Sequence, residues 1–216
     1  MKTKIIFVRI ASMNYYKGIT EKDKPQNGGS YVTDTGLAHE CYNFDAVTYE
    51  DGTQECLGFA MLTGAGKTTQ IKLENIAGCD LLENEAELSG VTVVWCAKSH
   101  NCKNIRVVGF YKNATVYRNS QFAEFDSGYV QQFNFTAAKK DCVLLPYQER
   151  FSNSKWYVPT SGNNNYKFGF GRSCIWYGGS KTKDKNEIEF VEKMIESIET
   201  YDGENWIDKG GETNEF

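Results

Sequence analysis

The chain has little proline and less histidine. Pro25, Pro146 and Pro159 are the only prolines, and His39 and His100 the only histidines, in 216 residues. With no Pro-rich or Ser-rich stretch nothing reads as a linker, and no internal repeat is visible, so a single domain over residues 1–207 is expected, followed by a polar, flexible tail over 208–216. Two distant histidines exclude the HExxH zinc helix, because His39-Glu40 has no second histidine in register. No apolar run is long enough to span a membrane. The start, MKTKIIFVRI, reads as a strand and lacks the apolar core and small-residue cleavage site of a signal peptide. The seven cysteines are odd in number and scattered. They read as reduced thiols of a cytoplasmic protein, not as a disulfide framework.

Three apparent motifs fail on spacing or context. LTGAGKTTQ, Leu62 to Gln70, carries the end of a P-loop, but the first glycine position is Met61. Thr68, Thr69, Ile71 and Leu73 alternate like a strand instead of opening a helix, so Gly64 to Gly66 reads as a hairpin turn. Cys96, His100 and Cys102 lie close together without the second ligand pair of a closed zinc site. Glu21-Lys22-Asp23-Lys24 and Asp184-Lys185 hold the letters of a nuclease metal site, but in polar stretches where charges are solvated. No metal or cofactor is implied.

What is present in quantity is aromatic and hydrophobic: 14% and 40% of the residues, the composition of a packed globule. The net charge of -4 conceals an asymmetry, since Leu88 to Lys183 holds 13 Lys or Arg against 4 acids. A basic middle in an acidic chain is the footprint of a local polyanion site, or of separate solvated faces.

Short apolar runs bounded by turn residues predict many strands. They are Lys4 to Ile10, Gly29 to Val32, His39 to Phe44, Leu57 to Leu62, Thr69 to Leu73, Val91 to Ala97, Ile105 to Tyr111, Thr115 to Tyr117, Gln131 to Thr136 and Val143 to Leu145. Their close spacing favours antiparallel pairing. Asp80 to Leu88 reads as a short acidic helix or as a loop. Asp184 to Tyr201 reads as a long C-terminal helix, with Ile188, Val191, Ile195 and Ile198 at helical spacing and Asp184 with Glu187 forming a capping box.

The densest signal is Val91 to Arg118. Trp95, Phe110, Tyr111 and Tyr117 stand there beside Lys112 and Arg118 with no acid between. Rings and cations on a rigid sheet suit phosphates and stackable bases. Tyr111-Lys112-Asn113 reads as a strand end whose side chains reach a ligand. FGFGRSCIWY, Phe168 to Tyr177, adds Arg172, Trp176 and Tyr177 beside glycines that permit close approach. Lys155 extends the basic set. Ser30, Tyr31 and His39 are further ligand-contact candidates. Equally, large aromatics fill cores and lone cations are usually solvated.

VTVVWCA, then IRVVGFYKNATVYR, CVLLP and GRSCIWYG, together resemble a domain found at the front of bacterial HNH-type restriction and defence proteins, over Gly29 to Tyr201. The strand-turn-strand with VVGFY is similar to the heart of EVE and other PUA-like domains. That resemblance implies an α+β fold, a mainly antiparallel, curved PUA-like β-barrel with flanking helices. It further implies a reader that extrudes a modified DNA base into an aromatic pocket. On that reading Trp95, Tyr111 and Trp176 stack the base, Asn113 reads an edge, and Lys112, Arg118, Lys155 and Arg172 hold phosphates. The chain has no HNH motif, so a nuclease partner would be a separate domain or subunit. Two other readings stand beside it: a nucleotide- or nucleic-acid-processing enzyme using His39 and Glu40, and a protein-interaction domain.

Overall fold

The run VTVVWCA becomes the middle of β6 (Glu87–Lys98), apolar on both faces because both faces are covered. The computed structural model describes residues 3–26, 39–64, 67, 68, 70–79, 83–98, 104–162 and 166–210. β1 (Ile5–Ile10) lies parallel to β6, from Ile5 opposite Thr92 to Ile10 opposite Ala97. On its other side β1 pairs antiparallel with β11 (Ile175–Trp176). The parallel pair needs a long crossover. The chain between them supplies it, and carries β2 (Ala46–Thr48), β3 (Gln54–Gly58) and a small hairpin of β4 (Thr63–Gly64) and β5 (Lys67–Thr68).

β7 (Ile105–Glu124) runs antiparallel to β6 and is the spine of the molecule. Its outer edge is shared along its length. β10 (Tyr157–Val158) and β9 (Cys142–Leu144) pair with its first part, and β8 (Val130–Ala138) with its second. The sheet order is β11-β1-β6-β7-β8-β3-β2. Two α-helices complete the described elements, α1 (Tyr147–Ser152) and α2 (Lys185–Glu199).

Period-two alternation divides the apolar side chains between two cores. Ile6, Val8, Val93 and Trp95 fill one; Ile5, Phe7, Val94 and Cys96 fill the other. The first core lies inside the curl of the sheet. Trp95 on β6 touches Phe135 on β8, and a Cβ on Gly58 of β3 would stand 2.5 Å from the Trp95 ring. β6 and β3 are three strands apart, so only a curled sheet brings them together. The second core is roofed by α2 through Val191, Met194 and Ile198, with Trp156, Val158 and Phe170.

Several expectations are corrected. Among the described residues the sheet is mixed and not closed into a barrel, because the end strands β2 and β11 do not pair with each other. His39 to Phe44 is not a strand: residues His39–Tyr42 form a 3-10 turn that buries Glu40 and Cys41. Residues 83–86 are turn and bend, and Glu87 and Leu88 already belong to β6, so this described part of the acidic segment is no helix. Residues 80–82 and the expected strand Gly29 to Val32 lie outside the described residues. α2 is capped by the Asp184 carboxylate, which accepts from Asn186 N–H at 2.9 Å, but Glu187 accepts from Gly179 N–H and closes no capping box. Ile188 stays exposed. At the start of the expected tail Asp208 pairs with Lys139 at 2.7 Å, and just before it Asn205 accepts from Leu144 N–H and donates to Cys142 O.

Candidate functional site

The expected aromatic wall belongs to the core. Trp95, Phe110 and Tyr111 are each 0% exposed, so no base can reach their faces. Trp95 meets Tyr111 edge-on at 5.3 Å, and the Tyr111 hydroxyl donates to Asn43 O. Phe110 faces the opposite core, 6.2 Å from Trp156. Tyr117 is half-buried against Phe133 at 5.8 Å. Asn113 is exposed, but not at a strand end: β7 continues past it. Three residue steps on β7, Tyr111 to Ala114, oppose two on β6, Val93 to Val91, so the ladder bulges at Lys112-Asn113 and Asn113 takes φ 51°.

Three cations of the basic middle of the sequence are answered by acids from outside it. Arg118 donates to Glu74 at 2.9 Å and to Glu85 O. Lys112 pairs with Glu199 at 3.7 Å, and Lys139 with Asp208. Lys155 pairs with Glu149 at 3.5 Å and lies 4.9 Å from the Trp156 ring centre. Arg150 is buried, donating to the carbonyls of Leu145, Met13 and Asn14. Lys167, Arg172, Lys183 and Lys185 are exposed and make no ion pair with any described residue, and the same holds for Lys24, Lys72, Lys140 and Lys181.

Lys167 and Arg172 fall beside or within the second expected wall, and Lys183 and Lys185 lie in the chain at the start of α2. Trp176 is half-buried, stacked on Phe7 at 4.5 Å and 5.8 Å from Phe190 of α2. Phe168 lies 5.8 Å from Phe190 and 5.3 Å from Tyr166. Between residues 166–168 and the first half of α2 opens a groove of about 700 Å³, lined by Tyr166, Lys167, Phe168, Asn186, Phe190 and Lys193, with Asp184 and Glu189. Lys183 and Lys185 flank Asp184. Arg172 stands on the exposed turn after Phe170, its carbonyl held by Arg9 at 3.5 Å. Trp176 and the Val91 to Arg118 rings therefore do not converge on one pocket. Tyr166 and Phe190 escaped the sequence reading, although Tyr166 is two residues from Phe168 and Phe190 sits on the helix stripe.

Tyr177 accepts from Lys72 N–H at 2.8 Å, and burial pushes its phenol up to about 12. Ser30 and Tyr31 lie outside the described residues, as do His100 and Cys102; Cys96 is fully buried. His39 is half-buried. Its Nδ1 accepts from Gln132 N–H at 3.3 Å, which leaves the proton on Nε2, and burial lowers its pKa. Neighbouring Glu40 accepts from Ala11 N–H at 3.2 Å, and burial raises its carboxyl to about 7. Burial pushes the Cys41 thiol up to about 12, so no thiolate stands beside this pair at neutral pH. Close to His39, Tyr42 and Tyr129 line a cleft of about 430 Å³ with Phe125, Asp45 and Gln131.

The fold and these two recesses define a mixed-sheet α+β protein with an aromatic groove of mixed charge and a separate tyrosine-lined cleft. No protein-family model, no curated protein and no solved structure matches the chain. Among the described residues, no helix is long and apolar enough to cross a membrane.

Proposed function

We propose that the chain is a nucleic-acid-binding module whose contact surface is the groove between residues 166–168 and α2. The observation supporting this reading is that Lys167, which makes no ion pair with any described residue, stands beside the half-buried rings of Tyr166 and Phe190 at one opening. Lys167 edges the groove, Lys183 and Lys185 flank its Asp184, and Tyr166 and Phe190 line it. Such a surface combines phosphate attraction with stacking, each base-aromatic contact contributing about 1–3 kcal/mol. The ligand class is DNA carrying a modified base, taken from the stack into the groove, with a nuclease domain or subunit as the partner that acts on the recognised site. Trp95, Phe110 and Tyr111 have no part in this contact. Arg172 holds backbone from the neighbouring turn.

Fluorescence anisotropy with plain and base-modified oligonucleotides, single- and double-stranded, tests the reading. Binding at low salt that weakens steeply as salt rises, prefers one modified oligonucleotide, and drops in Lys167→Ala and Phe190→Ala is the expected result. Absence of binding to every oligonucleotide at low salt refutes it.

A further inference from the structure

The cleft beside His39 differs from the groove in both shape and charge. The Tyr42 ring is tilted 52° to Tyr129 at 5.6 Å, and Phe125 lies along Tyr129 at 6.1 Å. Phe125 and Tyr129 are held in place by the turn between β7 and β8, where Phe125 N–H donates to Tyr129 O and Gly128 N–H to Phe125 O. Tyr42 comes from the 3-10 turn His39–Tyr42. Asp45 lines the same cleft.

The chemistry of that lining is specific. Ring faces carry negative quadrupole density and attract cations, and an acid beside them adds a full charge. Burial raises the Asp45 pKa and the nearby Lys17 acts against that rise, so a cation seated in the cleft would stabilise the charged carboxylate further. Exposed Glu124 and Asp126 flank Phe125 in the chain, a setting that repels phosphate. His39 adds no charge, because burial lowers its pKa and its Nδ1 is occupied. The cleft's volume of about 430 Å³ is that of a small-molecule site.

We propose that this cleft binds a methylated ammonium group, seated against the rings of Tyr42, Phe125 and Tyr129 with the Asp45 carboxylate as counter-ion. A methylated ammonium is a weakly hydrated cation, and leaves water for aromatic faces more readily than a primary ammonium does. The site is independent of the groove and of any nucleic acid bound there.

Calorimetric titration tests it with three probes: choline, its uncharged isostere 3,3-dimethylbutan-1-ol, and a short peptide carrying trimethyllysine. Choline or the peptide should bind about ten-fold or more tighter than the isostere, a difference of roughly 1.4 kcal/mol. The tighter of the two charged probes tells whether the group arrives on a free small molecule or on a protein side chain. Asp45→Asn should abolish the preference for charge, and Tyr129→Leu should weaken the charged probes while sparing the isostere. Affinity of both charged probes no better than that of the isostere in the wild-type protein, or no binding of either charged probe at millimolar concentration, overturns the proposal. That comparison needs no variant, so it stands even if a substitution unfolds the chain.

Discussion

Glu40 shows how one buried side chain sets a pH dependence. It is 7% exposed, accepts one backbone hydrogen bond, and holds its proton up to about pH 7. Below the ordinary carboxylate pKa of roughly 4.3 both folded and unfolded chains carry that proton, and Glu40 has no effect on the balance. Between that pH and about 7 the unfolded chain releases the proton while the folded chain keeps it, so stability falls as pH rises. Above that range the loss is complete and on the order of 3 kcal/mol. Glu40→Gln keeps an oxygen for Ala11 N–H and has no proton to lose. Urea unfolding should show variant and wild type differing little near pH 4, and the variant more stable by a few kcal/mol at pH 8. A difference that does not change with pH would contradict this account. His39 titrates in both proteins and cancels from the comparison.

At the scale of elements, β7 shows what periodicity reveals and what it hides. The β-branched and aromatic runs of β1, β6 and the first part of β7 are legible, because each alternates between two apolar cores. Tyr111-Lys112-Asn113 reads as a strand end, yet the strand passes through it as a bulge. The positive φ at Asn113 is compatible with asparagine and glycine and unfavourable for a β-branched residue. Asn113→Gly is therefore expected to change stability by less than about 0.5 kcal/mol, and Asn113→Val to lose roughly 1–2 kcal/mol despite its higher strand propensity. A stabilising valine in thermal denaturation would show that the bulge is not required. The segment His39 to Phe44 misled for a related reason: alternating polar and apolar residues also fit a tight 3-10 turn that buries Glu40, Cys41 and Phe44. The site was less legible than the strands. VTVVWCA carries its own warning, because a continuous apolar run marks a strand covered on both faces, and such a strand has no ring to offer a ligand. Phe125 and Tyr129 stand four residues apart on opposite sides of a turn, a pairing that only the backbone geometry makes visible.

Across the whole molecule the fold redistributes what the sequence segregates. Acids at Glu74, Glu199 and Asp208 come back to Arg118, Lys112 and Lys139, so the basic middle does not survive as one patch. Lys167, Lys183 and Lys185 remain by the groove, while the tyrosine cleft keeps Asp45 and neighbouring acids. One polypeptide thereby presents two recesses of different lining, one of mixed charge and one acidic. Both are supported by the same strands, since β1, β6 and β7 send alternate side chains into each core. Neither core can lose its packing without exposing the back of the strands that line the other. Unfolding should therefore be a single transition, with tryptophan fluorescence and far-ultraviolet circular dichroism coincident. Met194→Ala empties space under α2 and should cost about 2–5 kcal/mol. Gly58→Ala forces a methyl group against the Trp95 ring inside the other core and should cost about 1–3 kcal/mol. Each substitution, on its own face, should move both probes to the same lower midpoint. A variant in which one probe shifts and the other stays would mean that the two cores fold separately, and that the shared strands do not couple the groove to the cleft.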